Sequence, residues 1–309
     1  MKIVVVGAGS IGTLLAALLS RSKEEVWLLA KSEETAAKIG GQISVEGVSG
    51  SWQARGVKTC GDARQIGTCD LAVICVKAYD TKSAVKCVKP AIGDESFVLT
   101  LQNGMGNIEL LQDAFGTERV IGGSTNMGAT LLEPGKVRHA GKGETTIGRI
   151  DGKIPVVMRS IREIFNRSGI ETKISKDIKG TLWSKLLINA GINPLTALTR
   201  LNNGRLVEFK ETKDLMRQAV TEGARLAKRK KIKLIYDDPL AKVEAVCELT
   251  STNVSSMLRD VLRKRRTEVD HINGYIVRQG EELGIPVPVN TVLRDLVKTL
   301  EASYEQTVK

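Results

Sequence analysis

The chain is poor in the residues that build several common kinds of functional site. Of its 309 residues only two are histidines and five are cysteines, and no Cys-X-X-Cys pair or Cys/His cluster occurs. Neither a metal centre nor a disulfide framework is therefore expected. Cys87 lies between Lys86 and Lys89, and nearby cations can lower a thiol pKa. A reactive thiol there stays open as an alternative to a plain helix residue.

Long hydrophobic runs are also lacking. No segment approaches the roughly 18 uninterrupted apolar residues that a transmembrane helix needs. The N-terminus leads straight into a strand pattern and has no small-residue cleavage site of a signal peptide. We therefore expect a cytoplasmic protein without a membrane partner. Aromatics make up 4% of the chain against 42% hydrophobic residues, so its cores are aliphatic. The length suggests two domains, at about 100–200 residues each.

Acidic residues are fewer than basic ones. The chain has 46 Lys and Arg against 35 Asp and Glu, a formal net charge of +11. Basic clusters occur at residues 228–231 and 263–266, within helical patterns and without interleaved aromatics. Solvated helix faces explain them better than a nucleic-acid partner does. The positive charge suits an anionic cofactor and an anionic substrate.

A dinucleotide-binding pattern opens the chain. Lys2 to Val6 reads as a buried parallel strand, and Gly7-Ala-Gly9-Ser-Ile-Gly12 follows at once before a helical run. In this context the first glycine permits the tight turn. The second lets the backbone approach a pyrophosphate, and the third allows close helix–strand packing. Because a second strand, Glu25 to Ala30, comes next, the pattern predicts a Rossmann domain.

The end of that second strand bears on the choice of cofactor. NAD enzymes tend to place an acidic residue there, against the ribose 2′-hydroxyl. Here Lys31 and Ser32 follow the strand, and their charge and hydroxyl suit the 2′-phosphate of NADP. Glu33 and Glu34 come next and leave NAD open.

Polar residues also follow two later strands. Asp70 to Lys77 and Ser96 to Asn103 read as buried strands, and each ends in a polar residue at the sheet edge where ligands bind. Closely spaced glycines from Gly122 to Gly148 predict short strands in an antiparallel extension. Pro155 to Ser168 reads as a helix, and Gly169 to Ile174 as one more strand.

From about residue 175 a helical periodicity replaces the glycine-rich pattern. We therefore predict an α/β Rossmann domain at residues 1–174 followed by an all-α domain at residues 175–309. The predicted helices are Leu182 to Leu201 with a kink at Pro194, Glu208 to Lys231, one or more within Pro239 to Arg265, Glu268 to Leu283, and Asn290 to Glu305.

One helical face carries polar groups among apolar flanks. Lys185, Asn189 and Asn193 are spaced at i, i+4 and i+8, which puts them on one side of an α-helix. A buried lysine is costly without a role or a partner, and desolvation lowers its pKa toward neutrality. These three residues are candidates for proton transfer and substrate binding. The alternative is a solvent-facing polar stripe.

Together these segments resemble the ketopantoate reductase (2-dehydropantoate 2-reductase) family over nearly the whole chain. The segments that carry the resemblance are Gly7-Ala-Gly-Ser-Ile-Gly12, Val76-Lys77-Ala78, Gln102-Asn103-Gly-Met-Gly106, Leu182 to Thr196, Asn253 to Asp260, and Thr267-Glu268-Val-Asp-His-Ile-Asn273-Gly274. The last three blocks together are the most specific.

The resemblance implies a function and a set of site residues. It implies NADPH-dependent reduction of 2-dehydropantoate to (R)-pantoate, in pantothenate and coenzyme A synthesis. Lys185 would be the proton donor, and Glu268 would hold the substrate hydroxyl. The substrate residues would be Asn103, Asn189, Asn193, Asn253 and Ser256. The cofactor residues would be Gly7, Ala8, Gly9, Ser10, Ile11, Gly12, Lys31, Lys77 and Asn103.

Simple chemistry supports these roles. Hydride delivered to C2 of a 2-oxo acid leaves an alkoxide, which needs a donor such as an ammonium.

A surface ion pair with the arginines of residues 263–266 is the alternative for Glu268. Three alternatives to the whole function stay open: another 2-oxo acid or an opine-type condensation, a non-catalytic dinucleotide sensor, and a nucleic-acid binder. The C-terminal helices could also bury an apolar face between two chains, as in a homodimer.

Overall fold

The computed structural model describes residues 1–306, which divide into two compact units. The first unit comprises Met1–Gln102 and Asn107–Ile178. The second begins at Lys179 and also includes the short segment Asn103–Gly106. No helix among the described residues has the length and apolar character needed to cross a membrane.

The first unit contains twelve strands and five α-helices. The strands are β1 (Lys2–Val6), β2 (Glu25–Leu29), β3 (Ile43–Gly47), β4 (Trp52–Ala54), β5 (Lys58–Cys60), β6 (Cys69–Ile74), β7 (Ile92–Thr100), β8 (Val120–Thr125), β9 (Gly128–Glu133), β10 (Lys136–Gly141), β11 (Thr145–Gly148) and β12 (Thr172–Ile174). The helices are α1 (Ser10–Leu19), α2 (Glu33–Ile39), α3 (Thr81–Val88), α4 (Asn107–Phe115) and α5 (Val156–Arg167).

An eight-stranded sheet forms the centre of this unit. Its order is β12-β11-β8-β7-β6-β1-β2-β5. All neighbouring strands are parallel except β8 and β11. Strand β1 is an aliphatic run whose residues Ile3 to Val6 are buried, as a strand covered on both faces requires. Because β2 lies on one side of β1 and β6 on the other, the order reverses there, which is where ligands bind in such sheets.

The strands in the glycine-rich part of the chain are divided between two sheets. The sequence predicted one antiparallel extension, and β11 does pair antiparallel with β8 in the main sheet. Strands β9 and β10 form a hairpin in a separate four-stranded sheet of order β4-β3-β10-β9. Strand β10 also pairs parallel with β3, about ninety residues earlier in the chain. That long-range pairing draws the hairpin away from the main sheet.

The second unit is helical. Its helices are α6 (Ile178–Thr199, of which Ile178 itself belongs to the first unit), α7 (Lys210–Arg229), α8 (Pro239–Leu249), α9 (Ser256–Leu262), α10 (Asn273–Leu283) and α11 (Pro288–Ala302). Helices α6 and α7 approach closely, since a Cβ on Gly191 would lie 2.9 Å from Val220 and one on Gly223 would lie 2.4 Å from Leu187. An aliphatic core fills the space between the helices.

Two predictions for the helical half need correction. The helix predicted from Glu268 begins only at Asn273, after a 3₁₀ turn at Val269–His271. Ile272, with φ −106° and ψ −91°, interrupts the helical backbone between the turn and α10. Helix α6 starts four residues earlier and ends two residues earlier than predicted, at Ile178 and Thr199, and it is a single helix that contains Pro194, as predicted.

Candidate active site

The glycine loop between β1 and α1 has the geometry of a dinucleotide cradle. Gly7 has φ +107°, a conformation that favours glycine. A Cβ on Gly12 would lie 1.9 Å from the carbonyl oxygen of Gly7, so helix and strand pack closely only without a side chain there. A Cβ on Gly9 would meet nothing within 4 Å. The loop is therefore open at the position where a pyrophosphate must approach the backbone, and these residues fit a dinucleotide.

Ser10, Ala8 and Ile11 support the same loop. The Oγ atom of Ser10 accepts a hydrogen bond of 3.0 Å from the backbone N–H of Leu131 in β9. Ala8 and Ile11 are half-buried against the core of the first unit. The second sheet thus helps to fix the first turn of α1.

The acidic residues after β2 are engaged within their own unit. Glu33 accepts hydrogen bonds from the Gly61 N–H at 3.1 Å and from Gln65 Nε2 at 2.7 Å. Glu34 pairs with Lys38 at 2.7 Å on the exposed surface of α2. The Ser32 hydroxyl accepts a hydrogen bond from the Thr35 N–H, and Lys31 is exposed. Glu33 is thus held by the segment that follows β5.

Lys77 lies just after β6 and is half-buried. Gln102, which follows β7, contacts a residue on either side of Lys77 in the chain. Gln102 Nε2 donates to the Val76 carbonyl at 3.0 Å and to the Thr81 hydroxyl at 2.9 Å. Gln102 was not a predicted site residue, although it directly precedes Asn103. Its amide ties together the ends of the two strands that carry Lys77 and Asn103.

In the second unit, α6 presents Lys185, Asn189 and Asn193 at their predicted spacing. Lys185 and Asn189 are half-buried, and Asn193 is buried. The face is therefore not the fully solvent-exposed stripe of the alternative interpretation. The two residues that precede Lys185 are both held by contacts within the second unit. Trp183 packs edge-on against Tyr275, with ring centroids 5.9 Å apart, and the Ser184 hydroxyl accepts the Ile235 N–H at 2.9 Å.

Burial lowers the pKa of Lys185 from its ordinary value of 10.5 to about 8. The loss of hydration is the larger influence, because it penalises the charged ammonium. The carboxylate of Glu268 acts in the opposite direction and raises the pKa of Lys185. Lys185 and Glu268 are thus electrostatically linked, although 83 positions separate them in the sequence. An ammonium whose pKa lies near neutrality is suited to giving up a proton.

Glu268 is only 5% exposed. It directly precedes the 3₁₀ turn, and its backbone carbonyl accepts the N–H groups of His271 at 2.9 Å and Ile272 at 3.1 Å. The arginines of residues 263–266 are exposed by contrast, and Arg266 contacts Asp270 at 3.4 Å. The burial of Glu268 argues against the exposed ion pair considered from the sequence.

The loop Asn103–Gly106 docks on this same turn. The Met105 N–H donates to the His271 carbonyl at 2.9 Å, and His271 Nδ1 lies 3.3 Å from the Met105 carbonyl oxygen. Gly104 has φ +77°, and a Cβ there would lie 2.7 Å from both Cβ and the carbonyl oxygen of His271. The docking brings Asn103 to the segment that begins with Glu268. His271, which makes this connection, was not a predicted site residue.

Hydroxyl groups link Asn193 to the start of α9. The Thr196 hydroxyl donates to the Asn193 carbonyl at 2.9 Å and lies 2.7 Å from the Ser255 hydroxyl. Ser255 in turn accepts the Leu258 N–H at 3.0 Å and so caps α9, whose first residue is Ser256. Thr196 and Ser255 are buried, and neither was a predicted site residue. In the sequence, only their closeness to the predicted site residues Asn193 and Ser256 could have pointed to them.

Asn253 lies three residues before Ser256. It is exposed on the turn between α8 and α9, where its backbone N–H donates to Thr250 and its carbonyl accepts from Asn203.

Within residues 1–306, no group of three or more His, Cys, Asp or Glu side chains could hold a metal ion.

Two family models cover almost the whole chain. The model described as "Ketopantoate reductase PanE/ApbA" matches residues 3–152, and its C-terminal counterpart matches residues 177–301. The 2-dehydropantoate 2-reductase of Halobacterium salinarum is 36% identical over 299 residues, covering 96% of this chain and 98% of that protein. The enzyme of the same name from Archaeoglobus fulgidus is 36% identical over 302 residues, covering 97% and 98%.

Solved structures show the same relationship. A PanE/ApbA family ketopantoate reductase from Ralstonia eutropha JMP134 has a TM-score of 0.91 and 33% identity, covering 99% of this chain and 100% of that one. A D-mandelate dehydrogenase in complex with NADH has a TM-score of 0.89 and 25% identity, covering 98% and 99%.

Proposed function

Because this chain belongs to the ketopantoate reductase family, we propose that it reduces 2-dehydropantoate to (R)-pantoate with NADPH. The observation that carries the proposal is the half-buried Lys185, whose pKa is lowered to about 8 and which is linked electrostatically to the buried Glu268. We assign the binding of NADP to residues 1–174 and the binding of the keto acid to residues 175–309 together with Asn103.

The proposed mechanism rests on proton transfer from Lys185. NADPH, when bound, supplies the hydride that C2 of the keto acid receives. Lys185 donates its Nζ proton to the oxygen on C2 as negative charge develops there. The amides of Asn189 and Asn193 orient the substrate carboxylate and carbonyl without adding fixed charge. Glu268 accepts a hydrogen bond from the 4-hydroxyl, and Asn103, Asn253 and Ser256 complete the substrate site.

The nucleotide site consists of the glycine loop, Lys31 and Lys77. In this proposal the backbone of Gly7 to Gly12 holds the pyrophosphate, and Lys31 with Ser32 favours the 2′-phosphate. Two observations support NADP over NAD. Glu33 is held by Gly61 and Gln65, and Glu34 pairs with Lys38, so each acidic side chain already has a partner within the first unit.

A direct assay tests the function and the cofactor preference together. Purified protein with 2-dehydropantoate should consume NADPH with a higher kcat/KM than NADH. Lys31→Glu should lower kcat/KM for NADPH about tenfold. The favourable contact between the lysine ammonium and the 2′-phosphate, worth about 1.4 kcal/mol, is replaced by repulsion between two negative charges. The substitution should leave the NADH value nearly unchanged, and Lys89→Glu, at an exposed lysine of the same unit to which no cofactor role is assigned, is the control. No oxidation of either cofactor with this keto acid would refute the proposed function.

The similarity to D-mandelate dehydrogenase favours a second candidate, a reductase of a different 2-oxo acid. A panel of 2-oxo acids that share the carboxylate but differ at C3 and C4 separates the two candidates. We expect the 4-hydroxylated substrate to have the highest kcat/KM.

The cytoplasmic location and a homodimer through the helical unit stay predictions. Sedimentation velocity tests the dimer.

The docking of the Asn103–Gly106 loop gives a further prediction. Gly104→Ala should raise KM for the keto acid at least about tenfold, because its Cβ would collide with His271 and displace Asn103. The dissociation constant of NADPH, measured by fluorescence titration, should change much less. Gly106→Ala is the matched control, since Gly106 also has a positive φ, +93°, but a Cβ there meets nothing within 4 Å. Equal effects of the two substitutions would point to backbone strain alone.

A further inference from the structure

Helix α6 contains a gap in its hydrogen bonding within the proposed substrate face. Pro194 lies inside the helix and has no backbone N–H. The carbonyl four residues earlier, that of Ala190, therefore lacks its usual helical donor. Ala190 is fully buried and lies between Asn189 and Asn193. A buried carbonyl without a partner is costly, so this position needs a donor from elsewhere.

Asn273 provides that donor. Its Nδ2 atom donates to the Ala190 carbonyl oxygen at 3.2 Å and to Asn290 Oδ1 at 3.0 Å. Asn273 is the first residue of α10 and is fully buried. Both contacts that hold its amide thus involve Nδ2, whereas Oδ1 has no hydrogen-bond partner among residues 1–306. The side chain replaces the helical bond that Pro194 removes.

The orientation of the Asn273 amide is fixed by a buried carboxylate. Both oxygens of Glu222 accept backbone N–H groups at the start of α11, from Val289 and Asn290, at 2.9 Å each. Asn290 Nδ2 also donates to Glu222 at 2.7 Å and to the Ala219 carbonyl at 3.0 Å. Its other amide atom, Oδ1, must then face Asn273, which has to turn its own NH₂ group inward. The chain Glu222–Asn290–Asn273 therefore presents a donor to Ala190.

From this arrangement we infer that Asn273 is a positioning residue for the substrate amides of Asn189 and Asn193. It fixes the backbone of α6 at Ala190, where the helix lacks a bond of its own. Asn273 acts through this backbone and does not itself touch the substrate. Glu222 and Asn290 support it from α7 and α11. The inference rests on the proposed function for the roles of Asn189 and Asn193, whereas the hydrogen-bond connection stands on its own geometry.

A two-residue cycle tests the inference. Asn273→Ala should lower kcat/KM for the keto acid about tenfold, the size of one lost buried hydrogen bond, mainly through KM. The dissociation constant of NADPH should stay within about twofold. Pro194→Ala restores the N–H that can bond to the Ala190 carbonyl. In the Pro194→Ala/Asn273→Ala double variant the KM should therefore return most of the way to that of Pro194→Ala alone.

Gln279→Ala is the matched control. Gln279 is a buried amide on the same helix α10, but its partners are Lys230 and Glu282, not α6. Its loss should lower the thermal midpoint without raising KM. If Asn273→Ala does not accumulate as folded protein, Asn273→Ser takes its place in the cycle, because its side chain is too short to bridge Asn290 and Ala190.

Hydrogen exchange separates this inference from the proposed function. Amides of residues 191–198 should exchange faster in Asn273→Ala and regain protection in the double variant, whether or not the protein turns over ketopantoate. The inference is overturned if Asn273→Ala changes only the thermal midpoint, or if the second substitution restores neither amide protection nor KM. Absence of turnover in the wild-type protein, with the exchange pattern as expected, would count against the proposed function alone.

Discussion

Lys185→Met should lower kcat for reduction of the keto acid by at least about 10², with the fold and NADPH binding intact. General acid catalysis contributes roughly 10²–10⁴ to such reactions, and the methionine side chain cannot donate a proton. It has nearly the same length, so the loss of activity is not a packing effect. Lys179→Met is the matched control, because Lys179 is an exposed lysine on the same helix. Turnover within a few-fold of wild type would remove Lys185 from the mechanism.

The pH dependence provides a second measure of the same residue. Because the pKa of Lys185 is about 8, its ammonium form predominates below that pH. The reductive kcat/KM should therefore be level at neutral pH and fall as the pH rises through about 8. If Lys185 had its ordinary pKa, kcat/KM would stay unchanged up to about pH 10. A pH profile of kcat/KM, measured with saturating NADPH, distinguishes the two cases.

The same pKa has a consequence for stability. Lys185 has a lower pKa in the folded protein than its ordinary value of 10.5, so its charged form destabilises the fold. This cost, at most about 3.4 kcal/mol, is present in full below about pH 8 and disappears as the pH rises to 10.5. Lys185→Met should be more stable than wild type in urea at pH 7. The difference should shrink as the pH is raised.

Features set by local spacing could be predicted from the sequence. The run Lys2–Val6 followed by the glycine loop predicts strand, turn and helix, since each step depends on a few adjacent residues. The spacing of Lys185, Asn189 and Asn193 predicts their common face, because helix geometry alone determines it. The fold class followed from these patterns and is confirmed by the family models and the related structures.

Features set by pairing over long distances could not be predicted in this way. Met105 and His271 meet across 166 positions, and no local pattern marks either residue as a docking contact. The second sheet depends on the parallel pairing of β3 with β10. The break at Ile272 separates Glu268 from α10, although the apolar periodicity runs through it. At Ile272 the tertiary packing overrides the local helical preference, and in the other two cases the local sequence carries no signal for the contact.

Glu268→Ala should abolish most of the preference for a substrate with a 4-hydroxyl. A buried carboxylate that accepts this hydroxyl loses that hydrogen bond when the same keto acid lacks it, and such a loss in a buried site is strongly penalised. In the variant that penalty no longer exists. The ratio of kcat/KM for the two keto acids should therefore fall by about 10², the upper end of what a hydrogen bond to a charged group is worth.

Asp270→Ala is the control for that substitution. Asp270 is a carboxylate two residues further on, which pairs with Lys298 at 3.1 Å and Arg266 at 3.4 Å, and its loss should leave the substrate ratio unchanged. Because Glu268 raises the pKa of Lys185, its removal should also shift the fall of activity to a pH below about 8. If both keto acids lose activity equally and this fall does not move, Glu268 neither binds the hydroxyl nor acts on Lys185. If only the pH profile moves, Glu268 tunes the acid, and the 4-hydroxyl is recognised by a different residue.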